Sequence, residues 1–281
     1  MGIKYNYKKT DATECINERK EMIHMKTSAR KTVLALVIPL VVLILWFYET
    51  TYGGIPVGIL PSISRVGEAF QSVLQSGQLQ EDLIVSFGRV LKGYLIAAFL
   101  GILLGSLMGM FRTVRELFTP VITVIRQIPI IAWIPLIILW CGIGEVSKVV
   151  IIAIAAFFSI LVNTESGMES TPAGYIEVAR LYKLGPWKTF VKVYLPHAIP
   201  QILVGLKLGL SISWMAVVAA EMIAATSGIG YRMSNARSMM QADVVIVCMI
   251  VVGVVGVLMD KLLGLLLGLA TPWMKGAKKS A

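Results

Sequence analysis

Six runs of mainly apolar residues, at about 32 to 48, 88 to 110, 118 to 140, 146 to 163, 201 to 225 and 244 to 270, constrain this chain more than anything else in it. A helix needs roughly 17–25 such residues to cross a bilayer core about 30 Å thick. With 57% apolar and 15% charged side chains over 281 residues, the composition agrees. The expected fold is an all-α polytopic membrane protein with six transmembrane helices.

The first run, TVLALVIPLVVLILWFY, follows Arg30 and Lys31 as a signal peptide would, yet ETTYGG beyond it holds no small-x-small cleavage site. It reads as an uncleaved anchor. Residues 1–31 before it form a polar tail with no assigned function, in which Met22 and Met25 are available as later starts. Between the first two runs, residues 49–87 mix polar and apolar side chains at helical spacing, which suits an extracytoplasmic segment lying on the membrane surface.

Positive charge sets the orientation, because cytoplasmic loops retain Lys and Arg. An inside N-terminus places 17 of the 26 Lys and Arg in 1–31, 111–117, 164–200 and 271–281, against Arg65, Arg232 and Arg237 on the other side. Both termini are therefore expected in the cytoplasm. The net charge of +10 is accounted for by topology and implies no nucleic-acid partner.

Several chemistries are disfavoured. Cys15, Cys141 and Cys248 lack metal-like spacing, and the two histidines, His24 and His197, offer neither an HExxH pair nor a triad that could assemble within the bilayer. No GxxxxGK[ST] loop is present, so ATP would be bound and hydrolysed by another chain. An intramembrane enzyme would need a nucleophile and base on facing helices, and an ion-coupled transporter would need inverted repeats and several buried carboxylates.

Gly93, Ala97, Gly101, Gly105 and Gly109 recur every four residues, forming a small-residue ridge suited to close helix packing. In IRQIPIIAWIPLIILWCGIG, Pro129 and Pro135 each delete a helical donor, so the third span should be kinked or locally unwound near mid-membrane. Arg126 in that span and Glu221 in the fifth are charges at depth, read either as a structural pair or as pathway lining; Lys207 should snorkel.

The central loop contains EVARLYKLGPWKTFVKVYLPHAIP. Thr171 followed by Pro172 reads as an N-cap with proline at the first helical position, opening a short helix that Gly185 and Pro186 stop. A second helix from Trp187 would set Trp187, Phe190, Val191, Tyr194 and Leu195 on one face, opposite Lys188 and Lys192. Periodicity alone is met by a helix pair resting on anionic headgroups.

A cytoplasmic loop with Glu-x-Ala followed at a fixed distance by Leu-Pro, here Glu177, Ala179, Leu195 and Pro196, resembles the EAA loop of ABC-importer permeases. LPSISRV, SFGRVLKGYLIAAFLGILLG, IPIIAWIPLIILWCGIGEVSK and AVVAAEMIAATSGIGYRM look like the subfamily serving nitrate, sulfonate and taurine importers, and the resemblance covers about residues 55 to 270. It implies a type I (MetI-like) core at 88–270, formed by the last five helices and working as a homodimer with two ATPase subunits and an extracytoplasmic binding protein. It also implies a coupling helix at about Thr171 to Leu184, with Glu177, Ala179, Arg180, Lys183, Gly185, Leu195 and Pro196 at the ATPase. Arg126, Pro129, Pro135 and Glu221, from the broken span and the charges at depth, are the candidates for the translocation pathway. The cargo implied is a small organic anion, an aliphatic sulfonate or taurine; nitrate, bicarbonate or a vitamin precursor carried by the same importer class is the alternative. The family loop has Gly six residues after the Glu, where this chain has Lys183, so the turn is expected to shift to Gly185 and Pro186.

Overall fold

The computed structural model describes residue 34 and residues 37–270, and among these all regular structure is helical. The chain divides between Arg65 and Val66 into two units. In the first, α1 (Val37–Tyr52) is the described part of the expected anchor, and its Trp46 Nε1 donates to Pro61 O at 3.0 Å. The rest of that apolar run, and the tails at 1–31 and 271–281, lie outside the described residues. Straddling the division, α2 (Ile63–Gln75) buries Val66 and Val73, seven residues apart on one stripe, as the mixed polarity of that segment required.

The second unit holds α3 (Gln78–Met110), α4 (Arg112–Ile125), α5 (Ile130–Cys141), α6 (Glu145–Glu169), α7 (Ala173–Leu181), α8 (Pro186–Thr189), a π-turn (Phe190–Tyr194), α9 (Leu195–Ala224), α10 (Ile229–Ser238) and α11 (Ala242–Ala270). α3, α6, the continuous helix Pro186–Ala224 and α11 are each long and apolar enough to cross a membrane. α4 and α5 supply a further span as a pair bent by 97°. The chain is an all-α integral membrane protein.

The small-residue ridge packs α3 against α6. A Cβ added at Gly93 would lie 2.7 Å from Ile152, and one at Gly109 would lie 2.4 Å from the Met168 side chain. The contacts advance together along both helices, so α3 and α6 run parallel. On the other flank of α6, Gly205 meets Asn163 and Gly209 meets Ile160, which sets α9 antiparallel to it. α6 is therefore the central strut of the bundle.

The expected break in the third span lies at Arg126–Pro129. Pro129 has no N–H to continue the ladder and biases Ile128 away from the helical region. Gln127 and Ile128 turn back on Val124 O and Ile125 O, three residues earlier, and the chain leaves at the bend. Pro135 lies inside α5 without interrupting it.

Four local expectations are corrected. α3 begins at Gln78, ten residues before its apolar run, because Asp82, Ser86 and Arg89 bond to other helices and are buried rather than marking a span end. Pro172, not Thr171, is the N-cap of α7, and the buried Thr171 Oγ1 has no hydrogen-bond partner among the described residues. The helix expected from Trp187 is not separate: it starts at Pro186 and runs through the π-turn into α9. The wider turn relieves the clash that Pro196 would otherwise make with the carbonyl four residues back, and Leu195 N–H reaches Phe190 O instead. Lys207 does more than snorkel, since its Nζ lies 3.1 Å from an Asp260 carboxylate oxygen on α11.

Candidate functional site

Two regions at opposite ends of α6 and one cavity between them gather the polar chemistry of the second unit. At the α7 end, Ala179 is 2% exposed while Glu177 and Arg180 point outward. The turn after α7 is closed by two bonds, Lys183 N–H to Arg180 O at 2.9 Å and Leu184 N–H to Ala179 O at 3.0 Å. That pattern needs a left-handed residue at its corner. Lys183 takes it, at φ 50, while Gly185 is extended at φ −67 and ψ 162. The turn is thus not displaced to Gly185: Lys183 adopts, at the position where the family loop carries glycine, the conformation that glycine adopts most easily. Beside the turn lies a groove of about 370 Å³, whose lining includes Tyr175, Ala179, Tyr182, Lys192 and Pro196. Leu195 packs inward with Phe190 and Tyr194 against Met168, Ala198 and Ile202.

At the other end of α6 the ridge of α3 changes character. Continuing the glycine stripe backwards gives Arg89, Ser86, Asp82 and Gln78 on the same face. Arg89 donates to Glu145 Oε2 at 2.8 Å and Oε1 at 2.5 Å, to Glu221 Oε1 at 2.7 Å, and to the Ser227 carbonyl at 2.7 Å. Glu221, 1% exposed, also accepts from Ser86 Oγ at 2.8 Å and from the Gly230 N–H at 3.0 Å. Asp82 accepts from the Gly228 N–H at 2.8 Å and from Arg232, and Lys148 Nζ reaches Glu145 at 3.2 Å.

This network balances the cations Arg89, Lys148 and Arg232 against Asp82, Glu145 and Glu221, and ties α3, α6, α9 and α10 together. The carboxylates of Asp82 and Glu221 and the hydroxyl of Ser86 cap the first N–H groups of α10. Gly228, at φ +106, is required here, since a Cβ would lie 2.4 Å from the Glu221 carboxyl. Of the two readings of Glu221, the structural pair is the one the fold bears out, with Arg89 as its partner. Sequence reasoning missed Arg89; the available signal was the four-membered polar stripe at the start of an otherwise apolar helix.

Arg126 and Pro129 line an open cavity of about 430 Å³ beside the α4–α5 elbow, facing Ser159 and Asn163 of α6. Of the four residues expected on the pathway, those two come together; Pro135 lies further along α5 and Glu221 lies in the network.

The architecture is that of a membrane-embedded helical bundle, a broken span set against long packed helices. The chain belongs to the family of binding-protein-dependent transport system inner membrane components, whose model matches residues 97–274. It is 40% identical over 247 residues to a Methanocaldococcus jannaschii protein described as an ABC transporter permease, covering 86% of this chain and 92% of that one. It is 35% identical over 231 residues to the aliphatic sulfonates transport permease protein SsuC of Bacillus subtilis, covering 82% and 84%. It is 31% identical over 266 residues to the taurine transport system permease protein TauC of Escherichia coli, covering 92% and 97%. The fold matches a solved amino acid ABC transporter at a TM-score of 0.56 and 18% identity, over 71% of this chain and 96% of that one. The protein is an ABC importer permease subunit of the group that contains SsuC and TauC.

Proposed function

We propose that this chain forms, as a homodimer, the translocation pathway of a type I importer for a small organic anion, an aliphatic sulfonate or taurine, and that α7 couples it to two ATPase subunits. An extracytoplasmic binding protein would deliver the cargo at the α10 end, with the α7 end and both termini in the cytoplasm. ATP would be bound by the partner. The names of SsuC and TauC support the cargo class.

The coupling role is carried by one observation: α7 exposes Glu177 and Arg180 while it buries Ala179, and the Lys183 turn closes its C-terminal end. A short helix held at its end passes on a push, where a flexible linker would absorb it. The groove beside it continues the docking surface to Pro196. An ion-coupled mechanism is less well served, because Glu221 already has its charge matched by Arg89.

Replacing Glu177 with Arg tests the coupling. In proteoliposomes carrying the whole importer, uptake should fall at least tenfold and substrate should no longer stimulate ATP hydrolysis, with the amount of inserted protein unchanged. Unaltered uptake with normal ATPase assembly would overturn the assignment. The cargo is tested by thermal shift of the cognate binding protein against sulfonates, taurine, nitrate and bicarbonate, where stabilisation by nitrate or bicarbonate alone would refute it.

A further inference from the structure

The α4–α5 elbow presents a cation, Arg126, to the cavity beside α6. Arg126 follows α4 as its C-cap, at the bend before α5, and its side chain is exposed. Arg89, Arg112 and Arg115 each have a carboxylate within 4 Å, whereas Arg126 has no such partner among the described residues. Its guanidinium faces the cavity and is free to meet an anionic group there.

Its surroundings define the visitor. Across the cavity stand Ser159 and Asn163, one turn apart on α6, and the Asn163 Nδ2 donates one hydrogen to Ser159 O at 2.8 Å, leaving its second N–H available. Most of the remaining wall is apolar, including Trp133, Ile154, Phe158 and Ile212. The volume of about 430 Å³ falls at the lower end of the roughly 300–1,000 Å³ typical of small-molecule sites. A bare inorganic anion would leave that wall unused.

We infer that this cavity is a specificity subsite for an organic monoanion with an oxyanion head and a short apolar tail. The head would sit on the Arg126 fork with the Asn163 amide, and the tail against Phe158 and Ile154. The inference rests on the permease reading and deepens it: the membrane subunit itself, besides any binding protein, would favour alkyl sulfonates over nitrate, bicarbonate and the zwitterion taurine.

The test uses the full-length chain assembled with its ATPase partner in lipid nanodiscs, titrated with butane-1-sulfonate, taurine and potassium nitrate, reading tryptophan fluorescence. Butane-1-sulfonate should bind at least tenfold more tightly than either other anion, through a signal that Trp133→Phe removes. Arg126→Gln should weaken it at least tenfold and Arg126→Lys less. Ile154→Asn should weaken butane-1-sulfonate while leaving nitrate unchanged. Equal affinity for nitrate, a signal that survives Trp133→Phe, or indifference to Arg126→Gln would overturn the subsite; the wild-type comparison of anions decides even if a variant misfolds. Absent binding in a complex that still takes up a sulfonate refutes the subsite alone, whereas binding without uptake counts against the importer reading.

Discussion

Arg89→Gln removes the one group that links α3 to both α6 and α9 in the network. The side chain makes five hydrogen bonds, to Glu145, Glu221 and Ser227. Without it, Glu221 keeps donors from Ser86 and Gly230 but loses its cation, and its carboxylate stays out of reach of water. Breaking a buried ion pair by removing one partner costs about 3–5 kcal/mol. At about 2–4 °C per kcal/mol for a chain of this size, the unfolding midpoint should fall by about 6–20 °C. Glu145→Gln is the control, because that side chain is 60% exposed and its pairing with Arg89 contributes about 1 kcal/mol or less. Pairing Arg89→Leu with Glu221→Leu removes both charges together and should recover much of the loss, since apolar replacement of a buried pair is often near neutral. The assay is thermal unfolding of each variant in nanodiscs, followed by tryptophan fluorescence. A loss for Arg89→Gln no greater than that for Glu145→Gln, or a double variant that loses the sum of the singles, would refute the buried pair's role.

Two further outcomes are expected from the backbone. Lys183→Gly should raise stability by about 0.5–1 kcal/mol, because a left-handed lysine is strained where glycine is not, and a lowered unfolding midpoint would show that the lysine side chain matters more than its φ of 50. Gly105→Val should disrupt the α3–α6 contact, as its Cβ would lie 2.6 Å from Leu161 O, whereas Gly88→Val on the same helix meets nothing within 4 Å; equal recovery of folded, monodisperse protein from both would contradict the packing described.

Those features that depend on near neighbours in the chain were readable from the amino-acid sequence. The small-residue ridge needs only four-residue spacing, and the elbow needs only Pro129. The Arg89–Glu221 pair joins residues 132 apart, and each alone looks like an isolated charge in an apolar helix. Only the folded bundle brings them together, which is also why Asp82 and Ser86 read as the end of a span. Lys183 misled for a different reason: residue preferences favour Gly185 as the corner, but the bonds back to Arg180 and Ala179 fix which residue must turn. The loop that follows shows the same override, where Pro196 suggests a helix boundary and a π-turn accommodates it instead.

That π-turn leaves one residue of slack in the helix from Pro186 to Ala224. An α-helix advances about 100° per residue, so the extra residue sets the rotational phase between the Pro186 end, beside α7, and the bundle-facing stripe of Ala198, Ile202 and Gly205. A relative one residue shorter between 190 and 194 could keep every bundle contact beyond Leu195 and still present Lys188 and Trp187 in a different direction. The angle at which the loop meets a partner is thus adjustable by a single insertion or deletion, independently of the packing that holds the helix in the membrane.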